Sequence, residues 1–150
     1  MNLAANELRT LQLGPLWVLS ALAGTHNRFH PAELQAFWDT LVAVALRTPQ
    51  AAREILTSMV EDRTGLLLDF ALDDRPVVSG LAHVVAVLDR MAPATAADFK
   101  LALLRIGMGV ARARGPYGRI ITPENEQLLL LLAELVEIEH VTQIEDEILV

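Results

Sequence analysis

Two groups of residues have the types and spacing that chemistry requires. His26, His30 and Glu33 combine two imidazoles with a carboxylate, a donor set that suits Zn²⁺ or Ni²⁺. Spacings of four and three would align them on one helix face. Pro31, however, is a helix opener, which leaves His26 in a loop and His30 at the cap. The alternative reading of this set is therefore a capping imidazole and a solvated one. The second group is Arg112, Arg114 and Arg119 around Gly115-Pro116-Tyr117-Gly118. These guanidinium groups suit a phosphate or an acidic partner, with Tyr117 adding a stacking face.

Other polar residues fit plainer roles. Glu61, Asp62, Asp69, Asp73 and Asp74 form a loose acidic group, but no spacing fixes their separation, and solvated turn residues are the better reading. His83 lies close to an apolar stripe and is expected to be a core or interface histidine. His140, after an acidic run, suits the negative end of a helix dipole. There is no Gly-Lys-Ser/Thr phosphate loop, and the glycines follow a helix rather than a strand. A nucleophile elbow is absent as well. No catalytic residue is assigned, and no cofactor is implied beyond a divalent metal at His26, His30 and Glu33.

The chain of 150 residues is one domain by length, residues 1–150, and can bury a real core. Hydrophobic residues make up 53% of it, and mean hydropathy is +0.37. Either an unusually buried helical core or an apolar surface that forms a homodimer accounts for this. With no cysteine there is no disulfide framework and no thiolate chemistry, which fits a cytoplasmic protein. Residues 10–27 are uncharged, but Pro15 and Gly24 interrupt them well short of the ~20 apolar residues a membrane span needs.

Net charge is −7, which argues against general nucleic-acid binding. The charge is unevenly placed. Lys100, Arg105, Arg112, Arg114 and Arg119 fall in a stretch free of acids, and everything after Arg119 carries acids only. Internal complementarity between the two arms of one hairpin is the simplest reading, and a basic phosphate loop the sharper one.

The elements that must position these groups are helices. Period-2 strand patterns are missing, and every proline falls in a loop or at a helix start. The pattern predicts a short helix over residues 3–13, ended by Gly14-Pro15, and a second over 16–23 anchored by Trp17. A third runs from Pro31 to about Arg47. Thr48-Pro49 opens a fourth, which Gly65 breaks, and Leu66–Leu72 forms a short buried helix. After the turn at Asp73–Pro76, a helix with Val77, Leu81, Val84, Val85 and Leu88 on its stripe runs to about Met91. Thr95–Asp98, with capping-box spacing, opens the next. Thr122 as N-cap and Pro123 at the first position begin a last helix, apolar from Leu128 to Ile138 except for Glu134 and Glu137. The expectation is an all-α compact bundle of seven to eight helices around a buried C-terminal helix.

Two of the loops resemble each other. Gly24 and Arg28 are four apart, as are Gly115 and Arg119, and each arginine is followed by an apolar residue and a helix-opening proline, Pro31 or Pro123. This suggests an internal repeat, residues 11–47 and 99–139, forming two related helical hairpins. The stretch Tyr117-Gly118-Arg119-Ile120-Ile121-Thr122-Pro123-Glu124-Asn125-Glu126, with a looser match at Asn27–Glu33, resembles the tellurite-resistance TerB-like helical family. That resemblance implies repeated hairpins, a cytoplasmic stress-response association and metal binding through acidic loop residues. Tyr117 stands where loops of that family carry an aspartate. The function expected is a non-enzymatic interaction or sensing module, with a small metal-binding protein as the alternative.

Overall fold

The computed structural model describes residues 3–23 and 29–114, together with 127, 129, 130, 133 and 134. Six helices lie within them: α1 (Ala5–Ala23), α2 (Pro31–Leu46), α3 (Gln50–Glu61), α4 (Arg63–Leu72), α5 (Val77–Leu88) and α6 (Pro93–Arg114). There is no strand among the described residues. The all-α class expected from the sequence holds. Gln127, Leu129, Leu130, Ala133 and Glu134 are also helical.

The helix boundaries correct the sequence reading at several points. Gly14-Pro15 does not divide the first segment, because α1 runs unbroken through Pro15. An interior proline costs about 3 kcal/mol through a lost hydrogen bond and a clash with the preceding turn. Leu11, Leu13, Leu16, Trp17, Val18 and Leu19 are all buried around it, each large side chain contributing roughly 1.5–3 kcal/mol. Packing outweighs the local penalty. Two expected helices are therefore one, and the described residues hold six complete helices where seven to eight were anticipated for the whole chain.

Thr48 does not cap α3. Its hydroxyl donates back to the Val44 carbonyl of α2 at 2.7 Å, and Pro49 takes the N-cap position of α3. The break between α3 and α4 falls at Asp62, which ends one helix and begins the other. Gly65 lies inside α4. The sixth helix opens at Pro93, so Thr95–Asp98 sit inside its first turns, in keeping with the preference of proline for the first helical position.

α1 packs against α5, α6, α3 and α4, and α6 packs against α1, α2 and α3. From Asp98 to Arg112 no residue of α6 is exposed. Phe99, Leu103, Leu104, Ile106 and Val110 are its core contacts. α6 is thus enclosed along most of its length, second to α1, which has no exposed residue from Glu7 to Ala23 and packs against four helices. Leu129 and Ala133 are buried too, Leu129 lying against Gly107.

Trp17 is the anchor the sequence suggests, 1% exposed. Its ring meets Phe70 of α4 edge-on, centroids 4.8 Å apart. On its other side it lies on the backbone of α5, so a Cβ added at Gly80 would fall 2.1 Å from Trp17 Cε2. Gly109 plays the same part between α6 and α2, where an added Cβ would meet Thr40 Cγ2 at 2.3 Å. Both glycines permit a backbone approach that a side chain would prevent.

Candidate functional site

The first turn of α2 and the last turns of α6 border a cleft of about 390 Å³ lined by His30, Ala32, Glu33, Ala36, Val110 and Ala113. His30 and Glu33 enter it from α2, while Arg112 and Arg114 belong to the final turn of α6. His26, Gly24, Arg28, Gly115, Tyr117 and Arg119 lie outside the described residues, as does His140.

His30 and Glu33 have a structural task. His30 is the N-cap of α2, and its Nδ1 accepts the Ala32 N–H at 3.1 Å. The Glu33 carboxylate reaches back to accept the His30 N–H at 3.2 Å. This is a reciprocal capping box with histidine in the position usually held by serine or threonine. It satisfies two of the donors that a helix start leaves open, and the glutamate also meets the positive end of the dipole. The capping alternative for His30 is the one observed. Nδ1 being committed, Nε2 is the ring atom that remains for a ligand.

Arg112 lies in the last described turn of α6, and a basic residue suits the negative end of a helix dipole. Arg112 is half-buried.

The acidic group resolves into two separate arrangements. Arg9 of α1 bridges Asp62 at 2.9 Å and Asp69 at 3.0 Å, and its other nitrogen reaches Gln12 at 3.3 Å. Gln12, 7% exposed, in turn donates to Ser58 of α3 at 2.8 Å. This polar clamp ties α1 to α3 and α4. No local spacing announces it, because Arg9 and Asp62 are 53 residues apart.

The second arrangement surrounds Arg75, between α4 and α5. Its Nε and Nη2 donate to the Asp73 carboxylate at 3.0 and 2.6 Å, and its guanidinium stands 5.6 Å from the Trp17 ring centre. The hydrogen bond donated to the Asp73 carboxylate raises the Arg75 pKa above its ordinary value, desolvation opposes this, and the charges of Asp73 and Asp74 add to it. The Asp73 Oδ1 also accepts the Arg75 backbone N–H at 3.0 Å, an Asx turn whose signature, Asp-x-Arg-Pro, is readable in the sequence. His83 is not in the core. It is exposed, with Nδ1 against Arg75 Nη1. Of the core and interface roles expected for it, the core one does not hold, since 83 adjoins buried Val84 but faces the other way.

Among the described residues no three His, Asp or Glu side chains are grouped to hold a metal ion, and no helix is long and apolar enough to cross a membrane. No buried side-chain nitrogen or oxygen among them lacks a hydrogen-bond partner, so nothing in the described core is an orphaned donor awaiting a ligand. Comparison with protein-family models, with curated proteins and with solved structures gives no match to this chain.

Proposed function

We propose that this chain is a non-enzymatic, cytoplasmic helical interaction module that works as a homodimer, with a TerB-like organisation of two related hairpins and a stress-related sensing role. The observation that carries the reading is the outer surface of α5, a helix of 12 residues, VVSGLAHVVAVL, without one charged side chain. A helix at the surface of a monomer ordinarily has a polar outer face. Leu72, 77% exposed at the end of α4, and Val78, 63% exposed in α5, add apolar surface on either side of the link between these helices. Polar groups at the candidate cleft are meanwhile occupied in holding helix ends, which favours association over chemistry as the activity. The test is equilibrium sedimentation of the full chain across the micromolar range. A monomer–dimer equilibrium is expected, and a single monomeric species throughout would remove the homodimer.

A second reading has one observation in its favour. His30 and Glu33 share a cleft, and the cap uses Nδ1 of His30 but not Nε2. A small metal-binding protein using these two residues with His26 predicts a rise in melting temperature on adding Zn²⁺ or Ni²⁺. His30→Ala would abolish the rise, whatever it does to the metal-free melting temperature. No rise in the unaltered chain would dismiss this reading.

A further inference from the structure

α4 is the helix most lightly seated on the body. Of its ten residues Leu66 and Phe70 alone are buried, while Leu68 and Leu72 stand 59% and 77% exposed. A helix this short does not hold itself in water, where even roughly 12–15 residues are marginal. Its order therefore comes from docking. Leu66 and Phe70 are four apart and make one narrow apolar stripe. Phe70 meets the edge of Trp17 on α1 and stacks beside Phe29, centroids 6.2 Å apart.

The other contacts that seat α4 are electrostatic and lie at the surface. Arg9 of α1 reaches Asp62, just before α4, and Asp69 within it. The two carboxylate side chains are 51% and 48% exposed, and that of Arg9 is 33% exposed. Arg63, which opens α4, lies 5.0 Å from the ring centre of Trp38 on α2. Beyond the far end, Arg75 stands over Trp17. The chain on either side is built to bend. A single residue, Asp62, with φ −127° and ψ 43°, separates α3 from α4, and residues 73–76 link α4 to α5. Hinge motion is absorbed at element ends of this kind.

We propose that α4 is a charge-latched strap, which leaves the body and unwinds as a unit while α1 and α6 stay folded, with Arg9 as its latch. Opening withdraws Phe70 from Trp17 and uncovers the side of α1 that carries this indole. Ion pairs as exposed as those of Arg9 are screened by salt, whereas the burial of Leu66 and Phe70 is not. Opening of the strap therefore responds to ionic strength. The device is independent of whether the protein is a homodimer.

Native-state hydrogen exchange of the full chain, at one low protein concentration, tests this without any variant. Amides of residues 66–72 should exchange at least about tenfold faster than the buried amides of α1 and α6, and with a weaker dependence on denaturant. Raising sodium chloride from ~0.01 M to ~1 M shortens the Debye length from about 30 to about 3 Å. That change should speed exchange in α4 about two- to fivefold relative to α6, the range that half-exposed ion pairs support. Arg9→Met keeps an aliphatic stem without the charge. It should reproduce this acceleration at low salt and remove most of the salt response. Exchange in α4 as slow as in α6, with the same denaturant dependence, would show a single cooperative unit and overturn the strap. A fast α4 indifferent to both salt and Arg9→Met would overturn the latch.

Discussion

α5 and α6 are reversed relative to their compositions. α5 has no charged residue in its whole length, yet it lies at the edge and among the described helices makes its substantial contacts with α1. α6 carries Asp98, Lys100, Arg105, Arg112 and Arg114, yet it has no exposed residue from Asp98 to Arg112. Apolar content alone would have put α5 at the centre. What places α6 there is its contact with three other helices, α1, α2 and α3, and a glycine at 109 that lets α2 close on it. Long cationic side chains can enter such a position because their aliphatic stems pack while their charged ends reach outward. The contrast separates two kinds of apolar surface: one is covered by the fold, the other is the surface we propose for association.

The largest expected effect lies at α6. Phe99→Ala should cost about 3–5 kcal/mol by opening a cavity in a site that cannot collapse, while Val78→Ala on α5 should stay within ~0.5 kcal/mol when monomer stability is compared. Urea denaturation of each variant measures the difference. Equal costs would mean that α5 is as enclosed as α6. Next comes the seam between α5 and α1. Gly80→Ala forces a methyl group onto the Trp17 indole and should cost about 1–3 kcal/mol, with a changed near-ultraviolet signal from that ring. An unchanged signal and stability would show that Trp17 does not rest on α5.

A smaller effect is expected at the cleft end of α2. His30→Ala removes one half of the capping box and should cost roughly 0.5–2 kcal/mol, and His30→Asn, which can also cap, should recover most of it. The smallest is Arg9→Met at the exposed end of the polar clamp. Its partners are half in water, so the loss should be about 0–1 kcal/mol and should shrink further in high salt.

Much of this was legible in the sequence, for reasons that differ by residue. The helical class follows from apolar spacing and from the placement of proline and glycine. Trp17 as an anchor follows from its size within an apolar run. The role of His30 was within reach because a proline behind it and a glutamate three residues on are local signals of a helix start. Pro15 misled because the penalty of an interior proline is local, whereas the burial that overrides it comes from four other helices. Gly65 misled in the same way, a local breaker within a helix that tertiary contacts sustain. Asp62 and Asp69 could not be joined to Arg9 by any spacing rule. The core half of the expectation for His83 came from its neighbours in sequence, and a single step around a helix turns a side chain by about 100°, enough to move it from core to surface.

Hydrogen exchange measured as a function of protein concentration tests the contrast most directly. Amides of α6 should be equally protected at every concentration, because the fold itself encloses that helix. Amides of α5 should gain protection as concentration rises through the dimer range, since association stabilises the state in which α5 is covered. A protection pattern in α5 that does not change with concentration, or a gain confined to another helix, would contradict the account.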